Sequence, residues 1–419
     1  MIRTKLKTFK RINQLVITVC LLLTFPIMLT AADSIDVGDR PAQIIAELPD
    51  GELRAALGAC AANAAVRSDF SIGHRGAPFK YPEHTREGYI AAANSGAGII
   101  ECDVTFTKDR ALVCRHSQCD LHSSTNILQT PLAQKCSVPP DMNNDTPFSD
   151  VKCCTSDLTV AEFKTLNGRF DKANKKAKTL EDYLSLKNTP HAEATEVSGT
   201  LMTHAESIEL FSSLGVKMIP ELKAADVPMP FTAADGEEWT QEHYAQALVD
   251  EYLEQSVEPV NVFLQSFNLD DVKYWLSNTP QFGKQAAWLD GRYRDRSFKV
   301  NKPKTWKPSM EELAQAGVPI LAPPMWMLLT LDDDDNIVPS KYAIAAKASG
   351  LDLIGWTLER SGPLSSGGGW YYQTIKPAIK NDGAIYQTLH VLAQDVGVKG
   401  MFSDWPATSS YYANCFGIK

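Results

Sequence analysis

The sequence predicts a (β/α)8 barrel with a disulfide-containing insertion after the second strand region. Three observations predict it. Eight short, β-rich apolar runs alternate with longer stretches of helical pattern, the arrangement that builds a parallel sheet covered by helices. His74, Asp103, Glu221, Gln265, Trp356 and Asp404 each fall late in one of these runs, and barrels of this class carry their active sites at the C-terminal ends of the strands. No G-x-G-x-x-G follows any run, which counts against an open doubly wound nucleotide-binding sheet, the second-best arrangement.

The elements follow in order. Residues 1–32 read as a secretory signal. MIRTKLKTFKR carries five basic residues and no acid, LVITVCLLLTFPIMLTA is apolar, and Thr30, Ala31 and Ala32 are small. An uncleaved anchor helix is the alternative, which Pro26 and the small residues disfavour. Val19 before Cys20 excludes lipoprotein processing. Residues 33–69 form an N-terminal extension. The barrel occupies 70–116 and 199–419, with strands at 70–74, 99–106, 216–222, 262–267, 286–289, 319–322, 353–357 and 400–403. Helical patterns fall at 85–95, 204–214, 241–254, 269–276, 310–316, 340–348 and 387–396. Residues 117–198 are too long for a strand-to-helix connection. They hold the tracts PPDMNNDTP and KANKKAK, and read as an inserted subdomain beside the active-site mouth. SGPLSSGGGW at 361–370 is either a lid that brings Trp370 over a ligand or a plain surface loop. LDDDDN at 331–336 reads as a solvated acidic turn, because EF-hand spacing is absent.

Charge and cysteine usage narrow the class. The formal net charge is −9, and removing the five basic residues of the leader takes it to about −14. So acidic a chain is a poor ligand for nucleic acid or anionic membrane. A phosphate site on it must be locally positive, which a bound divalent cation and Arg75 could supply. Of nine cysteines, eight remain after Cys20 leaves with the leader. An even number in an exported chain reads as disulfides, with Cys153 and Cys154 bonded to separate partners. A zinc site is the rival, and it lacks paired C-x-x-C spacing. No segment after the leader is long and apolar enough to span a bilayer. The expected product is a secreted or periplasmic protein without a stable membrane anchor.

The chemistry sits between Ser71 and His116. Glu101 and Asp103 are two apart on one strand, so both carboxylates face one way and Cys102 faces the other. Adjacent acids repel unless a cation lies between them, and Mg²⁺ or Ca²⁺ would do so at ~2.0–2.6 Å. Glu221-Leu222-Lys223 repeats the pattern and offers a third carboxylate; an internal ion pair explains it equally well. His74 and His116 end apolar runs on either side of the carboxylate pair and can move protons. Arg75 suits phosphate, or an ion pair with Glu83 or Glu101. His84, His122, His191, His204, His243 and His390 lack such company and read as structural or surface residues, with His84 and His122 the strongest exceptions.

HRGA at 74–77, PEHT at 82–85, IECDVTFTKD at 100–109, LVCRH at 112–116 and PELK at 220–223 together resemble the glycerophosphodiester phosphodiesterase family. QSFN at 265–268, GWTL at 355–358 and GVKGMFSDWP at 397–406 extend the match. The resemblance implies a barrel with a small inserted domain and a divalent metal, Ca²⁺ or Mg²⁺, held by Glu101, Asp103 and Glu221. It implies His74 and His116 as the acid/base pair and Arg75 at the phosphate, supported by Glu83 and Lys223, with Gln265 and Trp356 beside the substrate. The family pattern reads His-Asp where this chain has His116-Ser117. Either the carboxylate that would orient His116 is missing or Asp120 takes its place.

These residues predict metal-dependent hydrolysis of a small glycerophosphodiester to sn-glycerol 3-phosphate and an alcohol. A related barrel phospholipase acting on lysophospholipids or sphingomyelin is the nearest rival, and would need an apolar rim such as Met325, Trp326, Met327, Trp370 and Trp405. A non-catalytic phosphoester-binding barrel is the rival from another class; both histidines and all three acids speak against it.

Overall fold

Short strands of buried apolar residues close on themselves into a ring. The computed structural model describes residues 35–60, 65–171, 173–185, 198–232, 236–362 and 364–419. The leader at 1–32, His191 and Lys172 of the basic tract lie outside the described residues. The ring comprises β1 (Ser68–Gly73), β2 (Ala97–Ile100, resuming as Asp103–Phe106), β3 (Lys217–Met218, resuming as Glu221–Leu222), β4 (Gln265–Ser266), β5 (Ala287–Leu289), β6 (Ile320–Ala322), β7 (Asp352–Leu358) and β8 (Gly400–Ser403). Each pairs in parallel with the next, and β8 returns to β1 with Ser71 opposite Met401.

Eight helices alternate with the strands: α1 (Arg86–Asn94), α2 (His204–Leu214), α3 (Gln241–Glu254), α4 (Leu269–Asn278), α5 (Met310–Gln315), α6 (Lys341–Ala348), α7 (Ala384–His390) and α8 (Pro406–Cys415). Their starts are set locally. Thr203 and Ser309 cap α2 and α5 in reciprocal boxes with Glu206 and Glu312, and Asn268 caps α4. The helix expected at 387–396 begins three residues earlier, at Ala384, and widens into a π-type turn over Val391–Val396. Its entry is fixed by the chain before it, where the Asp382 N–H donates to Glu47 Oε2 at 2.8 Å.

One packing layer positions the site. Ile72, Ile99, Ile219, Ile354 and Phe402 point into the ring and, with Ala287, Leu289, Ile320 and Ala322, fill it. Side chains on a strand repeat with period two. Two residues further along, the same strands carry His74, Glu101, Glu221, Trp356 and Asp404. The apolar plug is therefore the floor on which the polar residues stand.

The segment from 117 onward packs around its own buried cluster, including Leu121, Ile127, Phe148, Leu158, Phe163 and Tyr183. Cys119–Cys154 and Cys136–Cys153 staple it. Cys102–Cys114 joins β2 to an antiparallel neighbour (Leu112–Cys114), and Cys60–Cys415 joins the N-terminal helices to the end of α8. All eight cysteines among the described residues are thus paired as disulfides.

One expectation is corrected, and the solvated acidic turn is as expected. Met325 and Met327 are fully buried and Trp326 nearly so, in a helical turn directly after β6; they are core rather than rim. Trp405 is half-buried against Phe79. The acidic run 331–336 is the tip of a hairpin, where the Asp332 carboxylate accepts from the N–H groups of Asp334 and Asn336.

Candidate active site

The HRG turn at the end of β1 builds half the site. Arg75 has φ 54° and His84 φ 55°, left-handed values that side chains rarely adopt. The two strained residues hold each other, since the His84 N–H donates to the Arg75 carbonyl at 3.0 Å. Gly76 has φ 94°, and a Cβ there would lie 2.9 Å from the backbone of Gly88. Only glycine permits this close approach to the first turn of α1.

Register supplies the acids. Asp103 on β2 and Gln265 on β4 both lie opposite Glu221 on β3. Glu101, Asp103 and Glu221 are buried, and each offers a carboxylate oxygen within 4.8 Å of the others'. Glu101 Oε2 accepts from the Arg75 N–H at 2.9 Å and Oε1 from the Gln265 amide at 2.8 Å. Lys223 Nζ lies 2.7 Å from Glu221 Oε1 and 3.8 Å from Asp103 Oδ1. Asp103 Oδ1 itself is buried with no hydrogen-bond donor.

The trio does not ionise evenly. Burial, then Asp103 and Glu221, push the Glu101 carboxyl well above the usual range. Burial raises Glu221 to about 7 against the pull of Lys223, with Asp103 adding to the rise. Burial alone would also raise Asp103, but Lys223, His84 and Arg75 outweigh it and hold Asp103 well below its ordinary value. A pocket that crowds three acids, pushes two of them above the usual carboxylate range and leaves an acceptor unused fits a hard cation, which prefers oxygen ligands.

The histidines are treated differently. His74 Nδ1 lies 2.5 Å from Asp404 Oδ1, while its Nε2 is 3.9 Å from Glu101. Asp404 is ionised below its usual range because Arg360 and His74 outweigh burial. The His74 Nδ1 proton is therefore held by the carboxylate, leaving Nε2 as the acceptor. Burial and Arg75 depress the His74 ring despite Asp404. Burial, Arg75 and Lys223 depress His116 further. Both rings line one cavity of about 740 Å³ with Arg75, Glu101, Glu221, Lys223 and Trp356.

Several placements depart from expectation. Asp120 does not orient His116. Its carboxylate accepts from the Ser117 N–H and Ser124 Oγ and lies 3.6 Å from Arg115. Gln265 is fully buried and supports Glu101 from below instead of lining the cavity. His84, one of the two exceptions singled out among the remaining histidines, is buried against the acids. Its Nε2 lies 2.8 Å from Asp103 Oδ2 and its Nδ1 3.0 Å from the Tyr89 hydroxyl.

Arg360 was missed altogether. It bridges Glu83 at 2.8 Å and Asp404 at 3.1 Å, and Glu83 in turn holds Arg75 at 2.9 Å. Its only sequence signal is its place just after the seventh strand. Trp370 does reach the mouth: it stacks on Trp356 at 5.9 Å and meets Tyr293 at 5.3 Å.

Comparison with known proteins bears on the family and the fold. A family model described as the glycerophosphoryl diester phosphodiesterase family matches residues 74–408. An extracellular protein of Arthroderma benhamiae is 43% identical over 254 residues, 59% of this chain and 100% of its own length. Glycerophosphodiester phosphodiesterase GDPDL6 of Arabidopsis thaliana is 31% identical over 168 residues, 37% of this chain and 21% of that protein. A solved structure of a candidate glycerophosphoryl diester phosphodiesterase from Silicibacter pomeroyi superposes with TM-score 0.54 at 17% identity, covering 86% of this chain and 97% of that one. This last likeness shows a shared fold.

Proposed function

Because the chain belongs to the glycerophosphoryl diester phosphodiesterase family, we propose that it hydrolyses glycerophosphodiesters to sn-glycerol 3-phosphate and an alcohol, with Ca²⁺ or Mg²⁺ bound by Glu101, Asp103 and Glu221. The observation that carries this reading is the buried carboxylate trio, with its unused Asp103 oxygen, in one cavity with Arg75 and two imidazoles.

A divalent cation bound there supplies positive charge to the non-bridging phosphate oxygens. The chain's own residues do the rest. Arg75, fixed by Glu83, presents its remaining N–H groups to the phosphate. His74, oriented by Asp404, takes a proton at Nε2 from the attacking hydroxyl, whether of water or of the substrate's glycerol. His116 gives a proton to the departing alkoxide. The cations beside it disfavour its charged form, and an arriving phosphate anion reverses that balance. Lys223 pairs with Glu221 and offsets the charge crowded among the three acids that would hold the cation.

Four disulfides and the extracellular Arthroderma relative support export through the 1–32 leader. The separate buried cluster supports residues 117–198 as an inserted subdomain on a barrel of 70–116 and 199–419. The reaction is tested with glycerophosphocholine, with and without chelator, for the parent and for His74→Ala. We expect chelator-sensitive turnover and a fall of ~10²-fold or more in the variant. Turnover indifferent to both treatments refutes the mechanism.

A further inference from the structure

We propose that the catalytic mouth docks on anionic phospholipid membranes through the loop 292–307 and the Trp370 indole. The loop joins β5 to α5, at the end of the barrel where the cavity opens. Residues 291–310 contain seven arginines and lysines and a single acid, Asp295, in a chain of net charge −9. Arg294, Arg296, Lys299, Lys302, Lys304 and Lys307 are all exposed. The exposed acids nearest in sequence are Glu311 and Glu312 of α5, and Glu312 is engaged in the Ser309 cap.

The loop is built to hold its shape. Arg292 is paired with Asp290 at 2.7 Å, and Phe298 and Trp306 are buried beneath the loop. The Trp306 indole N–H donates to the Lys299 carbonyl at 3.0 Å, and its ring meets Tyr342 at 5.4 Å. The exposed cations therefore ride on an anchored scaffold.

Trp370 supplies the second, independent observation. It is 42% exposed, the largest aromatic left so among the described residues. Its ring packs on Tyr293, the neighbour of Arg294, and both Arg294 and Trp370 line the catalytic cavity. A rim that combines clustered cations with an exposed indole is the signature of an interfacial surface, whereas a soluble polyanion needs charge alone. Salt screens charges beyond ~10 Å, so the acidic body does not cancel the rim locally.

The test reads binding, not turnover, and so stands apart from the proposed reaction. The full chain is floated with vesicles of phosphatidylcholine, with and without phosphatidylserine, at low and high salt. Binding should require phosphatidylserine and fade with salt. Each neutralised lysine should cost about fivefold in partitioning, so Lys302→Gln, Lys304→Gln and Lys307→Gln together should cost ~10²-fold. The triple variant should keep its thermal midpoint. Trp370→Ala should weaken vesicle binding separately. Equal binding to both vesicles, or a triple variant that binds like the parent, overturns the proposal. So does retention on heparin with no affinity for vesicles, which would mark a polyanion site.

Discussion

Asp404 converts one histidine into a directed acceptor, and that small arrangement gives the sharpest residue-level expectation. Asp404→Asn keeps the size but can place an amide donor against Nδ1, favouring the wrong tautomer. We expect kcat to fall ~10²-fold or more with KM nearly unchanged, read from steady-state kinetics. His84 has a different consequence. Burial, opposed by Asp103, lowers it from 6.5 to about 4. Above pH 6.5 both folded and unfolded chains carry it neutral. Below that, the unfolded chain takes up a proton that the folded one refuses, so stability is lost as pH falls toward 4. The contribution is about 3 kcal/mol at 1.36 kcal/mol per pKa unit. Urea unfolding with chelator at pH 7 and pH 4.5 should show the parent losing about 2 kcal/mol more than His84→Gln, the part of the linkage that falls inside this window; equal losses would contradict a neutral buried ring. The three acids were legible because period two aligns them. The contact of His84 with Asp103 was not, because a left-handed turn leaves no periodic trace. Nor was the His74–Asp404 bond, which exists only once β8 has come round to β1.

Elements, rather than single side chains, decide how firmly the acids are held. β2 pauses at Glu101-Cys102 and β3 at Ile219-Pro220, so both strands break beside the carboxylates they carry. Pro220 has no N–H to offer a neighbour. The Cys102–Cys114 bridge helps brace β2 at its break, starting from the residue between Glu101 and Asp103 and on the opposite face of the strand. We expect Cys102→Ser with Cys114→Ser to weaken calcium or magnesium binding about 10- to 100-fold, as loss of a supporting contact does. Titration calorimetry reads this, with circular dichroism confirming an intact barrel; unchanged affinity would assign the bridge to folding alone. The strand order was legible from alternating runs, and the pauses were not. They depend on which neighbour each strand meets.

On the scale of the whole molecule, the sequence already implied a barrel, an export route and a local contradiction of charge. It left the cysteine pairing open among 105 possibilities, because pairing is settled by which distant segments meet. Cys60 and Cys415 are 355 residues apart and bonded. Removing both as Cys60→Ser and Cys415→Ser should cost about 2–5 kcal/mol and lower the thermal midpoint, while kcat stays at the parent value. Calorimetry and kinetics on one preparation check both halves of that statement. The bridge also bears on how such a ring comes apart. Its first and last strands are neighbours in the ring but lie at opposite ends of the chain, so that junction is the natural seam. Cys60 enters just ahead of β1 and Cys415 lies at the end of α8, just past β8. The staple thus laces the hoop where it would otherwise unzip, and heat must find another place to open it.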